Sequence, residues 1–241
     1  MEHRIVSHEE WEEARKKHLV EEKKFTKLRD QLSQARRDLP WELVDKEYVF
    51  DGPRGRTTLA DAFEGRGQLV VYHAMFNPST ASEQTTWTED SPCFACSFWM
   101  DNFDRVVRHL NHRDITTAAV SRAPIAKIEG YRKRMGWGFP WYSSEGSDFN
   151  LDYHVSFTPE QLAAGKAEYN YRVDPVSMSE LPGISVFRRE GGKIFHTYSA
   201  YARGLDMVNV AYHYMDLAPK GRDEGPGGQM AWLHRYDEYP D

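Results

Sequence analysis

The only two cysteines in a chain of 241 residues lie three positions apart, in Cys93-Phe94-Ala95-Cys96. Two thiols at that spacing can form and break a disulfide within one turn of helix, through attack of a thiolate on a sulfur. The residues before them suit that chemistry. Residues 69–76 are an apolar run of strand length, and residues 77–92 are polar and loop-like. Asp90 or Ser91, with Pro92 behind it, carries the cap and first-turn preferences of a helix start. The thiols are therefore expected to open a helix from about Cys93 to Asn111, with Trp99, Phe103, Val106 and Leu110 on its buried side. Free amides and the positive end of the helix dipole stabilise a thiolate there. A CxxC thiol so placed typically has its pKa lowered from about 8.5 into the range ~3.5–7.5. Cys93, exposed in the first turn, is expected to attack. Cys96, one turn on and more buried, is expected to resolve the mixed disulfide. Glu89 and Asp90 oppose the dipole, so the couple should be moderately reducing rather than strongly oxidising. The plain alternative is a pair of buried thiols that only pack. A zinc centre needs about four ligands, and His73, His109 and His196 supply no second closely spaced pair. No metal and no cofactor are expected.

The elements that must hold this pair can be read from the pattern around it. Between residues 7 and 38 the chain is densely charged, yet Trp11, Ala14, His18, Glu21, Phe25, Leu28, Leu32 and Ala35 recur at three- and four-residue steps. That is a narrow helical stripe. Ser7 with Glu10 forms a capping box at its start, and Pro40 stops it. Such a helix is marginal alone, so it should lie along the body of the protein or pair with a second copy as a homodimer arm. From Trp41 onward the texture is that of one α/β domain. A strand at 48–50 precedes a turn at 51–55, and a short helical piece covers 58–63. The run at 69–76 is the best central strand, Ile115 to Val120 the next, and Ile125 to Met135 a basic helix closed by Gly136. Phe139 to Tyr142 is extended, 143–180 is an elaboration, and two runs around Glu190-Gly191-Gly192 make a hairpin. A last helix is expected from about Leu205 to Met215, with Trp232 and Tyr236 docking the tail. The division is thus an N-terminal helical extension, 1–40, and a domain over 41–241.

Composition narrows the partners. Hydrophobic residues make up 40% and charged residues 28%, with a formal net charge of −6. That balance excludes a fibrous repeat and argues against a nucleic-acid surface. No apolar run approaches the roughly 18 residues of a membrane span. The first residues lack the apolar core of a secretory signal, so a cytoplasmic location is expected.

Longer stretches carry a resemblance. Leu69-Val70-Val71-Tyr72-His73-Ala74-Met75-Phe76, Cys93-Phe94-Ala95-Cys96-Ser97-Phe98-Trp99 and Ser121-Arg122-Ala123-Pro124 look like one bacterial family. So do Arg134-Met135-Gly136-Trp137, Phe139-Pro140-Trp141, Ser147-Asp148-Phe149-Asn150 and Tyr201-Ala202-Arg203-Gly204-Leu205-Asp206. That family is a thioredoxin-like group of unknown function regarded as predicted dithiol–disulfide oxidoreductases, and the likeness runs from about residue 5 to 239. It implies an α/β thioredoxin-like fold with a central mixed sheet flanked by helices, carrying the N-terminal helix and an insertion before the last hairpin. It places the working cysteine pair at Cys93 and Cys96; the partners expected of such a pair are a disulfide or peroxide substrate and a thiol electron donor. In thioredoxin-type folds a cis-proline before the third core strand packs against the thiols and offers backbone to substrate. Pro182, at the start of a strand-like run where proline is tolerated, takes that place; an ordinary turn proline is the alternative. Phe94, between the cysteines, and Arg203 are the other candidate substrate contacts, although a salt bridge near a helix cap would equally account for Arg203. Ordinary thioredoxin's Trp-Cys-Gly-Pro-Cys is absent. A peroxiredoxin-like thiol peroxidase is the second enzymatic reading, with Cys93 oxidised to a sulfenic acid that Cys96 condenses with. The usual Pro-x-x-x-Thr-x-x-Cys pocket is missing, Asp90 standing in the threonine's place. A non-catalytic thioredoxin-fold binding or regulatory module is the third reading.

Overall fold

Ser7 and Glu10 form the expected capping box in the computed structural model, which describes residues 3–76, 88 and 90–240. Ser7 Oγ accepts the Glu10 amide at 3.2 Å, and the Glu10 carboxylate accepts the Ser7 amide at 3.4 Å. The helix they start, α1 (His8–Arg37), buries none of its residues, and Trp11, Phe25, Leu28 and Leu32 are each more than half exposed. The chain divides into two compact units, Met1–Pro40 and Trp41–Asp241. Among the described residues no helix is long and apolar enough to cross a membrane.

The second unit begins with β1 (Glu42–Val44), β2 (Val49–Gly52), β3 (Gly55–Thr58), α2 (Leu59–Ala62) and β4 (Gln68–His73). Then come α3 (Phe94–Met100), α4 (Val107–His112), β5 (Ile115–Ser121), α5 (Ile125–Met135) and β6 (Trp141–Ser143). The insertion supplies α6 (Phe149–Asp152), α7 (Pro159–Ala164) and the small hairpin β7 (Ala167–Tyr169) with β8 (Arg172–Asp174). It is followed by β9 (Gly183–Glu190), β10 (Lys193–Tyr201), a 3-10 segment Ala202–Val208 and α8 (Val210–Leu217).

Eight strands form one sheet in the order β1-β10-β9-β4-β5-β6-β2-β3. β4, β5 and β6 run parallel, as strands joined by helical crossovers do. β9 runs antiparallel to β4, and β10 antiparallel to β9. The order β10-β9-β4-β5, with helices after β4, β5 and β10, is the thioredoxin-like connectivity the resemblance implies. β4 is central because its apolar residues serve both faces. Leu69 and Val71 join one core with Phe149 and Phe187, while Tyr72 joins the other with Trp99, Trp137 and Trp141. The turn between β9 and β10 needs positive φ at both central residues; Gly191 (58°) and Gly192 (77°) supply it. Gly183 serves close approach, since a Cβ there would meet Val155 at 2.8 Å and the Tyr201 ring at 3.0 Å.

Three expectations are corrected. The helix expected over 93–111 is broken into α3 and α4 by turns at 101–106. The Asn102 amide donates to the Phe98 carbonyl at 2.8 Å, competing with the helix for it. Asn102 also accepts the Val210 amide at 3.0 Å, Asp101 accepts the Trp137 indole N–H at 3.1 Å, and Asp104 accepts the Gly138 amide at 2.6 Å. Those side chains serve other elements, so the helix ends. The final helix starts at Val210 rather than near Leu205, because buried Asn209 is extended and caps it by accepting the Tyr212 amide at 3.2 Å. In the tail, Leu233 is buried and Trp232 packs on the core, whereas Tyr236 is 75% exposed. Most of the expected loop at 77–92, Glu89 included, lies outside the described residues.

Candidate active site

The end of β4 and the start of α3 meet at a single residue. Cys93 N–H donates to the Met75 carbonyl at 3.0 Å, and Met75 N–H donates to Cys96 Sγ at 3.3 Å. Met75 thereby clips both cysteines to the strand end. Ser97 secures the turn from the other side, its amide and hydroxyl both donating to the Cys93 carbonyl, at 3.0 and 3.2 Å. The Ser97 hydroxyl is itself 3.0 Å from the Tyr131 hydroxyl. Both sulfurs are present as thiols. Cys96 hydrogen-bonds to Cys93, and the Tyr72 hydroxyl reaches Cys96 from β4. Burial pushes the Cys96 thiol well above its ordinary range, with Cys93 beside it adding to the shift. The Met75 amide and the Tyr72 hydroxyl pull the other way, because both donate to a thiolate.

Cys93 is not the exposed residue its first-turn position suggested. It is the N-cap of α3 and 1% exposed, as is Cys96. The far end of the chain packs beside it. Arg235 donates to the Pro92 carbonyl at 2.8 Å, and Trp232 packs edge-on against Phe98 with ring centres 5.8 Å apart. Arg134 holds that segment through ion pairs to Asp237 at 2.6 Å and Glu238 at 2.8 Å. The N-cap position is Cys93 rather than Asp90 or Ser91, with no side-chain capping bond, and α3 spans only seven residues.

A cavity of about 280 Å³ opens against Cys96. Tyr72, Met75, Trp99 and Leu205 form its inner walls, with Met178, Pro182 and Ala202 across from them. Trp99 is fixed by its indole N–H, which donates to the Leu205 carbonyl at 2.9 Å. Tyr169, from the insertion, spans two walls: its hydroxyl donates to the Pro182 carbonyl at 2.7 Å and accepts the Ala202 amide at 3.0 Å. At the mouth, Arg203 and Arg222 both pair with Asp206, at 3.1 and 2.9 Å.

Of the candidate contacts, Pro182 and Arg203 line this cavity with Cys96, whereas half-buried Phe94 and Cys93 do not. The Leu181–Pro182 peptide is trans. Arg203 is largely exposed, and its Asp206 partner makes it a rim residue. Trp137 and Trp141 are core residues, and Trp99 is both core and wall. His73 lies on the opposite face of the sheet, its Nε2 2.9 Å from Ser185 Oγ. Among the described residues no group of His, Cys, Asp or Glu side chains is placed to hold a metal ion.

Sequence reasoning missed Tyr72, Met75, Tyr169 and Met178. Alternation along β4 was a usable signal for Tyr72, since one face of a strand ending at the thiol helix must point toward it. Nothing local marks the insertion residues.

Among solved structures, the chain is similar to a peroxidoxin, BcpB, from Mycobacterium tuberculosis, at 9% identity and a TM-score of 0.47, covering 71% of this chain and 94% of that one. It is similar to a mutant of peroxiredoxin Q from Xanthomonas campestris, at 15% identity and a TM-score of 0.45, covering 73% and 98%. It is also similar to a reduced 2-Cys peroxiredoxin from Plasmodium vivax, at 10% identity and a TM-score of 0.41, covering 73% and 94%. No curated protein matches it. Residues 1–239 match one family, and the chain belongs to it: the bacterial proteins of unknown function called DUF899.

Proposed function

We propose that the protein is a dithiol–disulfide oxidoreductase in which Cys93 attacks and Cys96 resolves. One observation carries this reading: two mutually hydrogen-bonded thiols, clipped to a strand end, with one of them on the wall of a cavity. Burial and its neighbour keep the Cys96 proton in place, so Cys96 S–H is a donor to a thiolate at Cys93. In the first step the Cys93 thiolate attacks one sulfur of a disulfide R–S–S–R′. The Cys93–S–R bond forms, the S–S bond breaks, and R′S⁻ leaves to be protonated by water, after which Cys96 gives up its own proton to water. The Cys96 thiolate then attacks Cys93 Sγ, and RS⁻ departs to be protonated by water. Two electrons have passed to the substrate, and the enzyme holds a Cys93–Cys96 disulfide. Two equivalents of an external thiol reverse that oxidation.

The test is stoichiometric. Reduced protein mixed with excess disulfide should release two thiols per chain and lose both of its own. Cys96→Ser should stop at a mixed disulfide on Cys93, identified by mass, and Cys93→Ser should yield no such adduct at that position. A hydroperoxide run in parallel separates the peroxidase reading, which predicts a sulfenic acid at Cys93 in Cys96→Ser. Native protein that releases no thiol, with both cysteines resisting alkylation, would leave only the packing role.

A further inference from the structure

We infer that the cavity beside Cys96 is a pocket for an uncharged, mostly apolar substituent of a low-molecular-weight disulfide. This rests on the proposed disulfide chemistry and adds the class of substrate. The volume of about 280 Å³ equals roughly nine liquid-water volumes of about 30 Å³ each. It lies near the small end of ligand pockets, roughly 300–1,000 Å³, so it holds a small molecule and not a folded chain. Its walls are apolar. Trp99 and Tyr72 present ring surface, Met75 and Met178 present flexible thioethers that adapt to ligand shape, and Leu205 and Pro182 complete the lining.

The mouth is polar but electrostatically closed. Arg222 is committed to Asp206 at 2.9 Å and to Asp216 at 3.0 Å, and it stacks over the Tyr212 ring at 3.9 Å. Arg203 is paired with Asp206 at 3.1 Å. Two arginines thus face two aspartates, and Glu224 on the same rim adds a negative charge. An anionic substituent finds neutral or repelling surroundings there and loses its hydration on entering, which is costly without a partner. A neutral aromatic or alkyl group gains from leaving water. Cys96, on the wall, borders the space that the departing sulfur enters. The bonds are those of the first step above: Cys93–S forms, S–S breaks, and the departing sulfur is protonated.

The experiment compares three disulfides on reduced protein: neutral 2,2′-dithiodipyridine, dianionic 5,5′-dithiobis(2-nitrobenzoate) and oxidised glutathione. Each rate is divided by the rate of the same disulfide with free dithiothreitol. The neutral aromatic should exceed both others by about tenfold or more after that correction. Thioanisole, which resembles the substituent and has no S–S bond, should suppress the excess competitively. Met178→Trp, which fills the cavity from its wall, should remove the excess. Equal corrected rates for all three disulfides overturn the inference and leave the oxidoreductase reading standing. Absence of reaction with any of them overturns the oxidoreductase reading. The pocket is then read in Cys93→Ser/Cys96→Ser protein by the neutral dye Nile red: displacement by thioanisole upholds the ligand class, and no binding overturns it as well.

Discussion

The two faces of β4 are built from the same strand yet present opposite chemistry. Tyr72 points to the thiols, and the next residue, His73, points away from them into the second core. There His73 lies against Phe149 with ring centres 5.4 Å apart, and its Nε2 meets Ser185. Ser185 Oγ is 3.0 Å from Ser199 Oγ, Ser199 is 2.8 Å from His196 Nε2, and His196 Nδ1 is 3.2 Å from Glu42. A shift in register between His196 and Tyr198 brings His196 and Ser199 to one side of β10. This seam is a run of polar contacts from buried His73 to exposed Glu42, and a second cavity of about 190 Å³ opens at its outer end, lined by Glu42, Tyr153 and His196. On the thiol face the cavity of about 280 Å³ is lined instead by mostly apolar side chains together with Cys96. The two faces thus differ in the chemistry that lines the space rather than in whether there is space.

That contrast can be broken most decisively at the cysteines. Cys93→Ser should lower turnover of a neutral disulfide by about a hundredfold or more, as loss of a covalent nucleophile does. Ser199→Ala, on the seam, should leave turnover within about twofold. If Ser199→Ala is as damaging as Cys93→Ser, the division between the faces is wrong. The next effect belongs to the seam side. Phe149→Ala empties the core around His73 and should cost about 3–5 kcal/mol in urea unfolding, with thiol alkylation in the folded protein unchanged.

Acid sharpens the comparison further. Burial pulls His73 from its ordinary 6.5 down to about 3. The unfolded chain therefore binds more protons between those values, and stability should fall as pH drops through that window. Burial raises Asp101, on the thiol face, from 3.8 to about 6, with the Trp137 indole opposing. Its contribution is full below pH 3.8 and lost as pH rises through about 6. His73→Phe should flatten the acid-side loss, and Asp101→Asn should remove the opposing slope, both read from urea midpoints against pH. The smallest effect concerns the tail. Arg134→Ala breaks exposed ion pairs worth under about 1 kcal/mol, yet it should speed alkylation of Cys93 several-fold by loosening the cover over Pro92. Unchanged alkylation would show that this segment does not guard the thiol.

Local signals were legible because local chemistry decides them. Ser7 with Glu10, Gly136 closing α5 at φ 68°, and the Gly191-Gly192 turn are each satisfied by neighbours in the chain. That the two cysteines stand side by side was legible for the same reason, a three-residue spacing. The break after α3 was not, because Asn102 acquires its second role only by meeting Val210, 108 residues on. The approach of the tail to the thiol helix was hidden likewise, since Arg235 meets Pro92 from 143 residues away. The cavity walls from 143–180 belong to a stretch without periodicity, whose residues gain their roles only when Tyr169 bridges Pro182 and Ala202.

Met75 joins both cysteines through one residue's amide and carbonyl. In the proposed disulfide Cys96 Sγ is no longer a thiol, so the acceptor of that amide would change with oxidation. The resonance and exchange rate of a single backbone proton therefore become a gauge of electron occupancy, readable without a label, a dye or any knowledge of what the pair reduces.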